Sequence, residues 1–267
     1  MEILGYIAAI LIGLSLGLIG GGGSILTVPI LVYLLGIEAA ETAPAYSLFV
    51  VGTASLIGAS IKYKQGFVDL KTAIIFGIPA IFAVYATRRF LVPAIPDEIF
   101  TLDSFIFTKR IFVMGLFAVL MILASASMIK GRKETIQPKA QKFNYPLILI
   151  EGVLVGGLTG LVGAGGGFII VPALMVLGKL PIKIAIGTSL VIIALKSLFG
   201  FFAGDYLNDE IFIDWKLLGY FSSLSILGVF VGTYIGNFIS GKRLKKGFGF
   251  FLLIMALVIL LKELIEI

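Results

Sequence analysis

The sequence contains neither cysteine nor histidine. The lack of cysteine excludes a disulfide framework and a thiolate metal site. The lack of histidine excludes imidazole acid–base chemistry. We therefore expect no metal and no cofactor. Charged residues are scarce as well, at 13% of the 267 residues, whereas about 25% is usual in soluble domains. This shortage of charge argues against a soluble protein.

Apolar residues take the place of the missing charge. They make up 59% of the chain, and the mean hydropathy is +1.12. Apolar runs of roughly 20 residues recur from end to end, which is the length at which an α-helix crosses a hydrocarbon core of about 30 Å. A closed β-barrel would need short alternating segments, and the sequence has none. It therefore predicts an all-α, polytopic transmembrane helix bundle in the cell membrane.

The second half of the sequence repeats the first. Glycine, proline and aspartate recur in the same order. The offset between matched positions is 143 in the first segment, 142 in the second and 145 in the third. The matched segments are 20–29 (GGGGSILTVP) with 163–172 (GAGGGFIIVP), 43–48 (APAYSL) with 185–190 (AIGTSL), and 67–69 (FVD) with 212–214 (FID). Chance similarity between apolar stretches does not preserve such an order. We predict two homologous transmembrane halves, 1–130 and 144–267, joined by a basic linker at 131–143.

Each half is predicted to begin with an apolar stretch that glycines interrupt, followed by three full spans. The predicted segments are 3–19 with 24–35, then 43–61, 72–90 and 110–130, and 145–162 with 168–178, then 184–203, 216–238 and 247–263. Clustered glycines favour a break, because each glycine costs a helix about 1 kcal/mol. The segments after the breaks are too short to cross a bilayer alone. We therefore expect a re-entrant helical hairpin in each half, with its tip inside the bundle.

The distribution of charge predicts how the halves are oriented. The net charge is +6, with 21 Lys and Arg against 15 Asp and Glu. Basic loops favour the cytoplasmic side of a lipid bilayer, and the excess implies no nucleic-acid partner. The linker and the basic loop 62–71 are therefore placed inside, and the acidic loop 205–214 outside. Because these two loops correspond in the repeat, the prediction is an inverted-topology repeat with both termini outside.

Paired, glycine-interrupted segments in inverted repeats are typical of secondary transporters, whose substrate lies near the bilayer midplane. The short helices are predicted to begin at Ser24 and Gly167, and their N-termini would direct unpaired amides and positive dipole ends at an anion. The residues predicted to bind it are Gly22, Gly23, Ser24, Gly165, Gly166 and Gly167. The hydroxyl of Ser24 is also placed to cap its own helix. The alternative is that these glycines serve only the close packing of helices.

Two polar pairs occupy corresponding positions early in the next span of each half. They are Tyr46 and Ser47 in the first half, and Thr188 and Ser189 in the second. We predict that their hydroxyl groups bind an oxyanion. The alternative is that they bond back to the preceding turn of their own helix.

Charged residues inside the predicted spans are candidates for function. A cation as deep in a span as Lys196 is costly, so we expect it to face a cavity and bind substrate, unless it snorkels to the interface. Glu151 is the candidate coupling residue, as a partner of Lys196 or as a proton carrier. Arg88 and Arg89 end a span that is predicted to finish outside. They are interpreted as interfacial anchors, the alternative being that they draw anions to the entrance.

The two glycine-rich elements ending in VP and the AIGTSL element resemble the sulfite exporter TauE/SafE family of membrane permeases, over essentially the whole chain. The resemblance implies export or uptake of small sulfur-containing anions such as sulfite, thiosulfate, sulfoacetate and other organosulfonates. Two departures concern the first half. Tyr46 replaces the threonine of the more typical GTSL form, and Ala83 and Thr87 stand where the second half has Gly228 and Gly232.

The sequence as a whole predicts a secondary anion transporter that is not an enzyme and works by alternating access around a midplane site. The expected partners are a small anionic substrate and the lipid bilayer, and a homo-oligomer is compatible with the sequence. The alternatives are a carrier of a cation or neutral solute, or a membrane-embedded enzyme. Neither glycine run is followed by the GK[ST] of a phosphate-binding loop, which argues against a nucleotide-dependent enzyme.

Overall fold

The computed structural model describes residues 2–37, 41–102, 105–130, 145–163, 166–176, 178, 180–207, 211 and 213–265. Most of these residues are helical. The α-helices are α1 Glu2–Ile19, α2 Ser24–Pro29, α3 Thr42–Lys64, α4 Leu70–Ala86, α5 Lys109–Lys130, α6 Tyr145–Val162, α7 Gly167–Val176, α8 Ile182–Gly200, α9 Trp215–Gly236 and α10 Gly241–Ile265. π-Helical turns extend α2 (Ile30–Leu34), α4 (Thr87–Leu91, then a last α-helical turn Val92–Ala94) and α8 (Phe201–Asp205).

Five helices, with their extensions, are long and apolar enough to cross a membrane. They are Thr42–Lys64, Leu70–Ala94, Lys109–Lys130, Ile182–Asp205 and Trp215–Gly236. Each matches one of the predicted spans, which confirms a multi-pass membrane protein. The remaining predicted span, 247–263, is helical as part of α10 but is not one of these five. Large apolar side chains such as Phe82 and Tyr234 remain exposed on the outside of the bundle, where lipid would cover them.

One β-hairpin departs from the all-α prediction. Strand β1 (Glu98–Leu102) pairs antiparallel with β2 (Phe105–Thr108) in the acidic loop after α4. The rings of Phe100 and Phe107 lie opposite each other in the register and stack with centroids 4.8 Å apart. The aromatic and β-branched residues of this loop favour a strand pair, and the sequence analysis overlooked them between two long apolar spans.

The most extensive helix contacts occur in counterpart pairs. Helix α1 packs on α9, and α6 packs on α4; α3 contacts α9, and α8 contacts α4. Helices α3 and α8 also contact each other, as do α5 and α10. The pair α3 and α8 forms the centre, with 67% and 72% of their most apolar windows buried. The counterpart contacts are those obtained when α1–α5 exchange places with α6–α10.

Glycine allows the closest of these helix contacts. A Cβ atom on Gly13 of α1 would overlap the backbone of Ser225 in α9, and a Cβ on Gly228 would overlap the carbonyl oxygen of Ile10. In the counterpart contact, a Cβ on Gly156 of α6 would lie 2.6 Å from the carbonyl oxygen of Ala80 in α4. Small residues thus bring both helix pairs to backbone contact, as is common in membranes.

Helices α1 and α6 both end on a left-handed glycine. Gly20 has φ 74° and Gly163 has φ 69°. Their amides donate to the carbonyl oxygens of Leu16 (2.8 Å) and Thr159 (2.9 Å). A left-handed residue just past the last turn is a common helix terminator, and only glycine adopts it without strain. Both glycine-rich segments therefore begin with a helix stop, as the prediction of a break requires.

Candidate functional site

The two glycine-rich breaks meet inside the bundle. A Cβ atom on Gly21 would overlap the Cα of Gly167, and a Cβ on Gly167 would overlap the Cα of Gly21. The Ser24 hydroxyl donates to the Gly21 carbonyl at 2.6 Å and accepts from the Gly167 amide at 3.3 Å. The first break is therefore in direct contact with the start of α7, which follows the second break.

The predicted site glycines lie at this junction, with one outside the described residues. Gly22 and Gly23 form the 3₁₀ turn Gly21–Gly23, and Gly166 precedes α7 with a φ of 66°. Gly165 falls outside the described residues. Helices α2 and α7 begin at Ser24 and Gly167, which confirms the predicted helix starts.

Ser24 does not cap its own helix. The N-cap position of α2 belongs to Gly23, which makes no side-chain cap, so this part of the prediction was wrong. The Ser24 hydroxyl instead joins the two breaks through the Gly21 and Gly167 hydrogen bonds.

Lys196 lies beside the second break. Its side chain, on α8, is 0% exposed, so the alternative that it snorkels to the interface is excluded. The ammonium donates to the Thr159 hydroxyl of α6 at 2.6 Å, and Thr159 in turn donates to the Gly156 carbonyl at 3.2 Å. A Cβ atom on Gly166 would lie 2.8 Å from the Lys196 Nζ. A buried cation thus adjoins the backbone of the glycine break.

No carboxylate in the described part of the chain forms a salt bridge with this ammonium. Glu151 lies on α6 eight residues before Thr159, which is about 12 Å along a helix, and it is half-buried. The predicted pairing of Glu151 with Lys196 was therefore wrong. The role of Glu151 as a proton carrier stays a prediction.

The hydroxyl groups of Tyr46 and Thr188 make matching contacts between helices. Tyr46 on α3 accepts from the amide of Asp214 at 2.7 Å, and Thr188 on α8 accepts from the amide of Asp69 at 2.9 Å. Asp214 and Asp69 are the N-caps of α9 and α4. Each hydroxyl therefore holds the start of a helix from the other half of the chain, a role that the sequence analysis did not foresee.

Several buried hydroxyl groups near the centre have no hydrogen-bond partner among the described residues. These are Thr27 on α2, Ser47 and Ser55 on α3, and Ser197 on α8. The Ser189 hydroxyl donates to the Ile186 carbonyl of its own helix at 2.8 Å, which is the alternative given above. The same oxygen also lies beside the first glycine break, because it would be 2.9 Å from a Cβ atom placed on Gly20. Such unpaired polar atoms need an explanation in a native core, and a bound ligand or water is the usual one.

Sequence reasoning missed Thr159, Thr27, Ser55 and Ser197. Ser55 and Ser197 lie 142 positions apart, the same offset as the AIGTSL match, so the repeat could have identified them. Thr159 corresponds to Leu16 at the offset of 143, and no repeat signal could have found it.

A buried ion-pair network lies at one end of the bundle. Arg88 Nε donates to Asp205 Oδ1 at 2.7 Å, and both residues are almost fully buried in the π-helical extensions of α4 and α8. Arg88 also donates to the Glu41 carbonyl, and the Glu41 carboxylate pairs with Lys109 at 2.6 Å. These four residues are called the ion-pair end below. The interpretation of Arg88 as an interfacial anchor was wrong, whereas Arg89 is exposed.

Comparison with known proteins gives a family and several relatives. The model of the family described as sulfite exporter TauE/SafE matches residues 5–259. A probable membrane transporter protein of Xylella fastidiosa is 27% identical over 257 residues, which cover 94% of this chain and 91% of the relative. One from Haemophilus influenzae is 29% identical over 265 residues, which cover 94% and 95%. The probable membrane transporter protein YunE of Bacillus subtilis is 33% identical over 217 residues, which cover 73% and 76%. No solved structure matches the chain.

Proposed function

The chain belongs to the sulfite exporter TauE/SafE family and is a membrane transporter, and we propose that it carries a small sulfur-containing anion. Sulfite is the first candidate, because the family description names a sulfite exporter, and thiosulfate and sulfoacetate are the next, as related sulfur-containing anions. The carrier works by alternating access around a site at the two glycine breaks.

The observation that carries this proposal is Lys196. Its ammonium is fully buried, bonds to a neutral hydroxyl and has no salt bridge within the described residues. A buried charge without a partner costs several kcal/mol. A bound anion would offset that cost, and a transported cation would increase it. The position of the ammonium therefore favours an anion over a cation or a neutral solute.

Unpaired hydroxyl groups on α2, α3 and α8, of which α3 contacts both of the others, suit an oxyanion. Hydroxyl groups of Thr27, Ser55 and Ser197 are buried and lack partners among the described residues, so each is able to donate to an anionic oxygen. The backbone at Gly166 is next to the ammonium, and glycine lets a ligand approach the main chain closely. These residues, with Gly22, Gly23 and Ser24 of the first break, form the proposed binding site.

The two breaks belong to two inverted repeats in this proposal, residues 1–130 and 144–267, linked by 131–143. The exchange of contacts between α1–α5 and α6–α10 supports a two-fold relation of the halves. The matching bonds of Tyr46 to Asp214 and of Thr188 to Asp69 also support it. The breaks then form two re-entrant hairpins that meet at the repeat interface, where inverted-repeat transporters bind substrate. Rocking of one half against the other alternates access to that interface.

Flux through proteoliposomes tests the proposed cargo. Purified protein should move radiolabelled sulfite, thiosulfate or sulfoacetate, with and without a proton gradient to reveal coupling. Lys196→Met should abolish this flux, and Lys64→Gln, which changes an exposed lysine of α3, should leave it unchanged. The proposal fails if none of these anions moves and none raises the melting temperature of the protein in detergent.

Labelling of single cysteines tests the inversion, since the native chain has no cysteine. Gln65→Cys and Leu207→Cys place thiols at exposed positions after α3 and α8. In oriented cells a membrane-impermeant maleimide should label Leu207→Cys from outside and Gln65→Cys only after permeabilisation. Labelling of both from the same side would contradict the inverted repeat without affecting the anion assignment.

A further inference from the structure

Two lysines come together at the end of the bundle where α3 ends and α8 begins. Lys62 lies at the end of α3 and is only 7% exposed, while Lys183 in the first turn of α8 is exposed. Their Nζ atoms lie 5.9 Å and 5.7 Å from the centre of the Phe67 ring. These two ammonium groups and the nearby Asn237 are called the basic end below.

The charges of the basic end have no counter-ion in the described part of the chain. Lys62 donates to the Gln65 side-chain oxygen at 3.3 Å, a neutral acceptor. Neither Lys62 nor Lys183 forms a salt bridge with a described carboxylate. The carboxylate of Asp69, which follows Phe67 closely in the chain, caps α4 through the Thr72 amide. Two like charges so close together repel each other, most strongly where one of them is buried.

A cleft opens between these groups and leads inwards. It is lined by Lys62, Lys183, Asn237, Ile186, Leu18 and Gly236, among others, and is small and partly open, with an enclosed volume of about 20 Å³. Ile186 also borders the first glycine break, because its carbonyl oxygen would lie 3.0 Å from a Cβ on Gly20. Ile186 therefore lies between the cleft and the first glycine break.

The corresponding positions at the ion-pair end carry acids with partners. Lys183 corresponds to Glu41 at the offset of 142. Helix α8 ends in a π-helical turn, whereas α3 is α-helical to Lys64. A π turn accommodates one more residue, so Asp205 corresponds to Lys62. Glu41 and Asp205 pair with Lys109 and Arg88. The basic end lacks such partners among the described residues.

We propose that the basic end is a second anion-binding site, which takes a small oxyanion such as a sulfonate, sulfate or phosphate group. Lys62 and Lys183 bind its oxygens beside the exposed Asn237, and Ile186 separates it from the glycine breaks. The site goes beyond the proposed function, because it binds an anion at the mouth of the bundle whatever the cargo is. Lipid anchoring alone does not explain it, since Lys62 is folded into the cleft and not extended into the headgroup region.

A single cysteine at the cleft measures the charge there without any transport. Asn237→Cys, at an exposed position, is treated with anionic sulfonatoethyl methanethiosulfonate or cationic trimethylammonioethyl methanethiosulfonate. The anionic-to-cationic rate ratio should exceed that of Leu207→Cys, at the other end of α8, by about tenfold, since a cleft of one charge sign concentrates counter-ions. Adding Lys62→Gln and Lys183→Gln should remove this excess. Adding Lys64→Gln, two residues along the chain, should leave it nearly unchanged.

Two further arms identify the source of the oxyanion. In neutral detergent, sodium sulfate should slow modification of the Asn237→Cys thiol more than sodium chloride does at equal ionic strength. That result would indicate a free anion. Protection only in phosphatidylglycerol nanodiscs, and not in phosphatidylcholine ones, would indicate a lipid phosphate and would also support the site.

The inference is overturned if the rate ratio at Asn237→Cys equals that at Leu207→Cys, or if Lys183→Gln, an exposed change that should not disturb folding, leaves the excess unaltered. Either result would leave the proposed transport of anions standing, because that proposal rests on Lys196. Loss of flux in Lys196→Met with an unchanged rate ratio would separate the two sites.

Discussion

The two halves of the chain have the same helices in the same order, but the polar residues at corresponding positions differ. Lys196 of α8 corresponds to Ala54 of α3, and Thr159 of α6 corresponds to Leu16 of α1. All four side chains are buried. One half therefore presents a cation and a hydroxyl at its glycine break, and the other half presents two apolar groups. The two halves thus share the order of their helices, while the buried cation Lys196 has an alanine as its counterpart.

The ion-pair end and the basic end, at opposite ends of the α3–α8 pair, also differ in their polar residues. The ion-pair end holds acids with basic partners, and the basic end holds cations with none among the described residues. A matched pair of substitutions, one at each end, should therefore change stability by different amounts. The predictions below use such matched pairs, in order of decreasing effect.

Asp205→Leu should cost about 3–5 kcal/mol of unfolding free energy, because it leaves the buried guanidinium of Arg88 without its partner. The corresponding change Lys62→Met should cost less than about 1 kcal/mol, since no described carboxylate loses its partner when this cation is removed. Reversible unfolding in mixed detergent micelles measures both. The double variant Arg88→Met with Asp205→Leu should recover most of the loss, since apolar pairs often replace buried ion pairs without cost. Equal losses for Asp205→Leu and Lys62→Met would contradict the difference between the ends.

Lys196→Met and Ala54→Met should change stability in opposite directions. Without substrate, the first should stabilise the protein by about 1–3 kcal/mol, because a buried charge without an ionic partner is replaced by an apolar chain of similar length. The second should destabilise it by about 1–3 kcal/mol, because Ala54 is fully buried and a larger side chain overpacks the core. Thermal unfolding with and without sulfite checks both changes. Sulfite should raise the melting temperature of Ala54→Met but not of Lys196→Met, and destabilisation by Lys196→Met would show that its ammonium already has a counter-ion.

Features that depend on local chemistry could be predicted from the sequence. The helix breaks and the starts at Ser24 and Gly167 follow from the behaviour of clustered glycine in a helix. The burial of Lys196 follows from its depth in an apolar run. Contacts between distant residues could not be predicted in this way. In a soluble helix the apolar side marks the core, but here the sides facing lipid and protein are both apolar, so the sequence does not reveal the rotation of each helix.

That missing rotation explains the particular errors. Arg88 and Asp205 lie 117 residues apart, and neither sequence neighbourhood indicates that the two side chains face each other. The same applies to Thr159, which was not recognised as the partner of Lys196, and to Glu151, for which that role was one of two alternatives. Helix ends were easier to predict than helix faces.

Tyr46→Phe and Thr188→Val are the matched pair with the smallest expected effect. Each removes one hydroxyl that accepts from the amide of an N-cap aspartate, Asp214 or Asp69, and each should cost about 1 kcal/mol. Because the two bonds hold the starts of different helices, α9 and α4, the losses should add in the double variant. Unfolding of the two single variants and the double variant measures this sum. A double-variant loss well above the sum would show that the two contacts act as one unit, and a loss from only one of them would show that Tyr46 has taken on a role that Thr188 lacks.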